Sequence, residues 1–360
     1  MKERTVLITA PSLNATQNVS GISSVTNFII GNNNNYSYKH FQLGRKDGEK
    51  RNLLWLFGMI KTTMMWMFVV TSKKISVVHF NFALCKASVV RDAPLVLFAK
   101  LIKKRMIIHL HGGEYLIEKK APGWMNYFLK KIFAGNIQVI VLSPIEREVL
   151  IANFKVKNTK VLSNCVDLKD AKAFNRIYGT QHPLNLLFIG RIRINKGIEY
   201  IYQALKILID RNVHFKFFMA GAGPDETEYV DKFSKLLGDS FEFCGVVSGW
   251  EKTALFKKCD IFLLPSFFPE GLPMALLESM SFGLVPIVTD IGSIKYVVKN
   301  GENGIMLGQN PAGEIATAIE NLANERRVID KLSINASEYI FTNYDPEIYI
   351  NSLNEIYGKA

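Results

Sequence analysis

The chain has 360 residues, more than one hydrophobic core comfortably serves, so two domains are expected. Hydrophobic residues make up 48% and charged ones 21%, which excludes a disordered or collagen-like chain. The net charge of +12 is lopsided: residues 1–176 carry 27 Lys and Arg against 10 Asp and Glu, the remainder 17 against 22. The first half is therefore expected either to face something anionic or to be a basic solvated surface. Neither zinc-finger spacing nor an aromatic RNA-binding motif occurs, so nucleic acid is not the expected partner. Cys85, Cys165, Cys244 and Cys259 are scattered without metal-ligand or disulfide spacing, and no signal-peptide core follows Met1. Both features point to a reducing cytoplasm.

In chain order, apolar β-branched runs at 5–12, 76–83, 105–112, 138–143 and 160–165 read as buried parallel strands. Helical stretches at 21–30, 53–72, 84–103, 123–133 and 144–153 separate them, the alternation of a doubly wound α/β sheet. Residues 53–70, LLWLFGMIKTTMMWMFVV, approach the length of a membrane span, but Lys61 and the flanking bases favour a buried or surface-docked helix. Its Trp55, Phe57, Trp66 and Phe68 suit a membrane interface and a core equally. The polar stretch 168–182, closed by Pro183, reads as a linker. The alternation then restarts, with strands at 185–189, 215–220, 241–244, 261–265 and 285–289 and a helix at 197–211. The expected organisation is a first domain over 1–170, a linker over 171–183, a second domain over 184–343, and a C-terminal helix within 344–360 packing back on the first.

The segment 265–292, PSFFPEGLPMALLESMSFGLVPIVTDIG, carries the densest chemistry. A strand ends and a helix is expected to begin near Pro273, since proline suits the first helical position, where its missing N–H would be unpaired anyway. The N–H groups of Gly271, Leu272, Met274 and Ala275 would then point out from a helix N-terminus, an anion site suited to a diphosphate. Gly271 permits close backbone approach. Glu270 precedes the helix. Glu278 lies two turns in, among Ala275, Leu276, Leu277 and Met280, where an unpaired carboxylate is costly and a hydroxyl-rich ligand would satisfy it. In Gly190-Arg191-Ile-Arg-Ile-Asn-Lys196-Gly197, two cations straddle a strand-to-helix turn. Arg191 can fork two phosphate oxygens and Lys196 can supply a point charge; alone, the pair also reads as solvated charge. The turns Gly221-Ala-Gly223-Pro224 and Gly245-Val246 close the next two strands. His109 and His111 share one face of a strand, but no third metal ligand accompanies them, so no metal site is expected.

The run Glu270-Gly-Leu-Pro-Met-Ala-Leu-Leu-Glu278 resembles the Glu-x7-Glu motif of family-four retaining glycosyltransferases. Gly190-Arg191 with Lys196-Gly197, Gly221-Ala-Gly223-Pro224, and Thr289-Asp290-Ile-Gly292 resemble the family's accompanying segments. The resemblance is strongest over 186–308 and looser over the first 170 residues. It implies an α/β GT-B fold: two Rossmann-like doubly wound domains facing across a cleft. It also implies transfer of a sugar, with retained anomeric configuration, from a UDP-, GDP- or ADP-sugar to a lipid-linked or polysaccharide acceptor in surface polysaccharide biosynthesis.

The roles implied by the resemblance fall on matching residues. Arg191 and Lys196 hold the donor diphosphate together with Gly190 and the Gly271-Leu272-Met274 turn. Glu278 binds ribose, Val246 lies near the nucleobase, and Gly221 is a further donor-binding residue. Glu270 approaches the sugar. His111 sits beside the donor sugar, while His109 packs. Gly21 is the single glycine where the family has a pair in its first strand-to-helix loop, and Cys165 replaces a glycine in Asn164-Cys-Val-Asp167; the first departure weakens the expected close approach to donor or acceptor. Neither cofactor nor obligatory metal is implied. The expected location is cytoplasmic and peripheral at the inner face of the cell membrane, where Lys100, Lys103, Lys104, Lys130 and Lys131 could meet anionic lipid. Because His111 and Glu270 fall on different domains, closure is expected. Competing readings are a non-catalytic nucleotide-sugar or carbohydrate-binding protein and a nucleotide-sugar epimerase of the same fold. A dinucleotide oxidoreductase is disfavoured because 11–24 lacks Gly-x-Gly-x-x-Gly.

Overall fold

The computed structural model describes residues 4–14, 17–18, 20–44, 53–117, 119–177, 183–268 and 270–359. The first half runs β1 (Thr5–Ala10), α1 (Gly21–Asn32), β2 (Ser37–Gln42), α2 (Leu53–Val70), β3 (Ile75–Phe82), α3 (Lys86–Leu101), β4 (Met106–Leu110), α4 (Gly123–Phe133), β5 (Gln138–Val141), α5 (Pro144–Phe154) and β6 (Asn158–Val161). The second runs α6 (Lys169–Lys172), β7 (Leu184–Ile189), α7 (Ile198–Asp210), β8 (Phe215–Ala220), α8 (Glu226–Leu237), β9 (Phe241–Gly245), α9 (Gly249–Lys258), β10 (Ile261–Leu264), α10 (Met274–Ser281), β11 (Val285–Thr289), β12 (Ile305–Leu307), α11 (Pro311–Asn324) and α12 (Arg326–Asn343). A last helix, α13 (Pro346–Lys359), ends the described chain.

Each half forms one six-stranded sheet, ordered β2-β1-β3-β4-β5-β6 and β12-β11-β10-β7-β8-β9, with the pairs parallel. Parallel strands need crossover helices, which cover both faces, so central strands are apolar on both sides. β4 and β10 are buried at every position. In the first sheet Trp66 of α2 fixes one layer. Its ring meets Phe41 and Phe80 edge-on, with centroids 5.2 and 5.5 Å apart, and its Nε1 donates to the Leu95 carbonyl at 3.1 Å. The outer side of α2 stays exposed, so this helix is core on one face and surface on the other.

In both sheets the chain starts in the middle and winds outward twice. The order reverses between β1 and β3, and again between β7 and β10. Loops leaving two such strands diverge to opposite faces and open a crevice at the carboxyl ends, where α/β sheets bind ligands.

The chain divides into two compact units: one runs to Asn164 and takes in the segment from Glu347 onward; the other spans Cys165–Pro346. The boundary thus falls before the stretch expected as linker, whose residues 169–172 form α6. Residues 178–182 of that stretch lie outside the described residues. Two strands were not expected. β2 is a polar edge strand with only Phe41 buried, and β12 is three residues long, so neither offers a long apolar run. The helix expected to start at Pro273 starts one residue later. Pro273 is the cap, extended at φ −63° and ψ 123°, and its carbonyl accepts from Leu276 N–H.

Gly197 closes the turn after β7 with φ +81°, and a Cβ there would lie 2.0 Å from the Pro265 carbonyl oxygen. Gly197→Ala is expected to cost more than about 2 kcal/mol, from left-handed strain plus a backbone clash. A lowered urea midpoint measures this; an unchanged one contradicts the tight approach of these two loops.

Candidate functional site

In the second unit, four strand-end loops are tied to each other by hydrogen bonds. After β7, the Gly190 N–H donates to the Ala220 carbonyl at 3.0 Å, and Ile192 N–H to Ala222 at 3.1 Å. Gly221 N–H continues the chain of contacts to the Gly245 carbonyl at 2.7 Å. The Asp225 carboxylate accepts the Ile194 N–H at 2.7 Å and so pins the 3-10 turn that carries Lys196. On the other side, the Asn195 carbonyl accepts from both Ser266 Oγ and Phe267 N–H at 3.1 Å, joining that turn to the loop after β10.

This framework brings Lys196 against Glu270: Nζ lies 2.5 Å from Oε1. Glu270 is 8% exposed, so its charge is largely withdrawn from water. Removing one partner of a desolvated pair leaves an uncompensated charge and costs about 3–5 kcal/mol, whereas an exposed pair is worth under about 1. Anything that draws Lys196 away must therefore give Glu270 new hydrogen-bond donors.

Gly271, Leu272 and Met274 lead into α10 as the sequence suggested, with Leu272 and Met274 buried. Behind them stands a segment to which the sequence assigned no role. Thr289 Oγ1 donates to the Ser266 carbonyl, and Ser293 N–H to the Gly271 carbonyl at 3.3 Å. Gly292 has φ +60°, and a Cβ there would overlap the Glu270 carbonyl oxygen at 1.8 Å. Thr289–Ser293 is thus the wall on which the Glu270 loop rests.

Glu278 has a partner the sequence did not reveal. Lys252 of α9 places Nζ 2.6 Å from Glu278 Oε1, with side chains 28% and 20% exposed. The carboxylate among apolar neighbours is therefore met by a cation, and both remain open to a ligand. Lys252 belongs to no motif and lies 26 residues from Glu278, so only the fold could pair them. Arg191 is partly exposed beside Gly190, Arg193 is exposed, and Val246 is 39% exposed at the end of β9.

The first unit holds a second polar constellation. His79 and Asn81 of β3 point to the same face as His109 and His111 at the end of β4, because alternate strand residues share a face. His79 Nδ1 meets the Tyr357 hydroxyl of α13 at 2.7 Å, and its Nε2 meets His109 Nδ1 at 3.1 Å. The His109 and His111 rings lie 4.1 Å apart between centroids. His109 is fully buried, and its Nε2 has no partner among the described residues. His111 Nε2 meets Asn81 Oδ1 at 2.7 Å. The Asn81 amide is oriented by its other contacts: Nδ2 donates to the Thr9 carbonyl at 2.7 Å and to Thr26 Oγ1 at 3.1 Å. Thr26 has spent its own proton on Ile22, so it can only accept here. Asn81 therefore turns its oxygen to His111, Nε2 carries the ring proton, and Nδ1 keeps a free lone pair. Gly21, expected in the loop after β1, is the exposed first residue of α1; residues 15, 16 and 19 of that loop lie outside the described residues.

Burial holds His79 and His111 down to about 3, with His79 adding to the effect on His111, and burial holds His109 well below its ordinary 6.5. All three are neutral at pH 7. The unfolded chain takes up these protons near 6.5 and the folded one does not. Their contribution to stability is therefore complete above 6.5 and is lost as pH falls toward 3. Glu146, buried and raised to about 7, contributes with the opposite sign between 7 and its ordinary 4.5. A His79→Phe variant keeps Glu146, so its urea midpoint should fall less between pH 7 and 5 than that of the parent. Equal slopes would show that His79 takes up its proton in the folded state.

Comparison with known proteins gives three results. Residues 172–339 match the family model described as Glycosyl transferases group 1. An uncharacterized glycosyltransferase of Methanocaldococcus jannaschii is 26% identical over 65% of this chain and 62% of its own length, so the match spans less than two thirds of that relative. The Escherichia coli UDP-Gal:alpha-D-GlcNAc-diphosphoundecaprenol alpha-1,3-galactosyltransferase is 25% identical over 72% of this chain and 70% of its own. Among solved structures, sucrose-phosphate synthase from Thermosynechococcus elongatus superposes with TM-score 0.77 at 15% identity, covering 99% of each chain. Anabaena HepE in complex with UDP-glucose gives TM-score 0.74 at 15% identity, over 99% of this chain and all of that one. At such identity the structural likeness shows a shared fold, two parallel sheets of GT-B type.

Proposed function

Because residues 172–339 match the glycosyl transferases group 1 model and the chain has the GT-B fold, we propose that it moves a sugar from a nucleotide-sugar to a lipid-linked or polysaccharide acceptor in surface polysaccharide biosynthesis, with retained anomeric configuration. The observation that carries this reading is the Lys196–Glu270 pair, set at the β7–β10 reversal beside the N-terminus of α10. A donor diphosphate entering there competes for Lys196. Arg191 and the N–H groups leading into α10 add positive potential from two further directions. As Lys196 turns to phosphate, Glu270 loses its cation, and hydroxyls of the donor sugar are the groups able to replace it. Binding thus exchanges one internal pair for two ligand contacts. Glu278, shared with Lys252, is left for the ribose hydroxyls.

In the transfer step the bond between the anomeric carbon and the diphosphate oxygen breaks, and the acceptor hydroxyl oxygen bonds to that carbon. The hydroxyl proton passes to the departing phosphate oxygen on the same face, which retains configuration. Charge growing on the diphosphate is met by Lys196, Arg191 and the helix terminus, electrostatic stabilisation from preorganised groups. The reading calls for no resident cofactor or metal. In the first unit, His111 offers Nδ1 as an acceptor to a sugar hydroxyl. A uridine diphosphate sugar is the first donor to try, because a fold neighbour was solved with UDP-glucose and a relative is named for UDP-Gal. That relative's diphosphoundecaprenol acceptor supports a lipid-linked one here, and the proposed site of action is the cytoplasmic face of the membrane.

Thermal-shift titration against UDP-, GDP- and ADP-sugars should give stabilisation by one nucleotide class. With that donor, Lys196→Ala should lower kcat by about 100-fold or more, the scale of losing one transition-state charge contact. Unchanged turnover removes Lys196 from the leaving-group role. NMR of the product should show the donor's anomeric configuration; an inverted product overturns the stereochemistry. Conversion of donor without acceptor into an isomeric nucleotide-sugar would replace transfer by epimerisation.

A further inference from the structure

In the first unit, α2 contacts α3 and α3 contacts α4, so the three lie side by side on one face of the sheet. Their outer surfaces are apolar. On α2, Phe57, Met64 and Phe68 are 67%, 67% and 82% exposed, at spacings of seven and four residues that place them on one stripe, while Trp66 and Val70 on the opposite stripe are buried. Leu101 at the end of α3 is 78% exposed, and Trp124 and Tyr127 of α4 are 53% and 58% exposed. Fully burying one such side chain is worth about 1.5–3 kcal/mol, and monomeric soluble proteins rarely leave so extended an apolar surface uncovered.

The surroundings identify what covers it. Between residues 53 and 134 there are thirteen Lys and Arg but three Asp and Glu. One of those acids, Asp92, is buried against Arg91. Lys73, Lys74, Lys103, Lys130 and Lys131 are exposed around the helix C-termini, where each also complements the helix dipole. A second copy docking symmetrically would bring this cationic rim against itself. An anionic bilayer supplies both missing complements at once, hydrocarbon for the stripe and negative charge for the rim. Among the described residues no helix is long and apolar enough to cross a membrane, so α2 would lie in the plane of the interface over its length of about 27 Å.

We propose that the outer face of α2, α3 and α4 is a membrane-docking surface, with Phe57, Met64 and Phe68 inserted at the boundary between headgroups and acyl chains of an anionic bilayer. The inference rests on the reading of an acceptor held at a membrane and names the surface that would reach it.

The test is vesicle co-sedimentation of the full chain with phosphatidylglycerol–phosphatidylcholine and with pure phosphatidylcholine. Two variants accompany it: F57S/M64S/F68S, and K73Q/K74Q/K103Q. The parent should prefer the anionic vesicles, and the apolar variant should bind them at least about tenfold more weakly with an unchanged melting midpoint. The lysine variant should lose most of the preference over neutral vesicles, and carries the test if the apolar one fails to fold. Equal binding by parent and variants overturns the proposal. So does a parent that binds neither vesicle, or a dimer in sedimentation velocity that the apolar variant disperses. Thermal shift by nucleotide-sugars is measured in parallel, so loss of membrane docking with an intact donor response leaves the transferase reading standing.

Discussion

The contact between Lys196 and Glu270 joins two segments 74 residues apart, and much of the second unit exists to make it possible. β7 must lie between β8 and β10, so that the loops on either side of the reversal meet at the carboxyl ends of the strands. Asp225 and Asn195 then hold the Lys196 turn, while Thr289–Ser293 backs the Glu270 loop. Each carboxylate of the site is paired with a lysine from a different element, Glu270 with Lys196 and Glu278 with Lys252. In this arrangement neither of these partly buried carboxylates is left uncompensated.

The first unit solves a different problem. Three imidazoles and an asparagine share the interior face of two central strands, a costly place for polar groups unless they satisfy each other. Neutrality of all three rings is the condition of that arrangement, and burial enforces it. The same network that removes the cost also selects which nitrogen of His111 is open.

The order of elements was legible because parallel strands are read as apolar runs and crossovers as amphipathic stretches, and because the Gly-Arg, Lys-Gly and Glu-x7-Glu segments are local. What escaped was non-local or weakly patterned. β2, with sequence SYKHFQ, has the polarity of an edge and could not be told from a loop. Lys252 acquires meaning only once the fold brings its side chain to Glu278. Thr289–Ser293 looked like an ordinary strand end because its role is to support another loop through its backbone. The partnership of Asn81 with His111 left a trace, since His79, Asn81, His109 and His111 alternate with apolar residues on two strands. That alternation marks a polar face inside a buried sheet, but not which residues bond.

The helix α13 has a consequence for how the chain can be made. From Glu347 onward it belongs to the first unit, although the whole of the second is encoded in between. His79 emerges 278 residues ahead of the Tyr357 hydroxyl that meets its Nδ1, and Asn33 precedes its partner Asn354 by 321. On a ribosome the second unit can therefore finish while the first is still incomplete. In that interval the first sheet holds a buried imidazole without its phenol partner and an uncovered apolar face where Tyr349, Leu353 and Ile356 will sit. The unit that begins the chain is the last to close, and its long wait with sticky surface showing makes it the part most in need of chaperone shelter during synthesis.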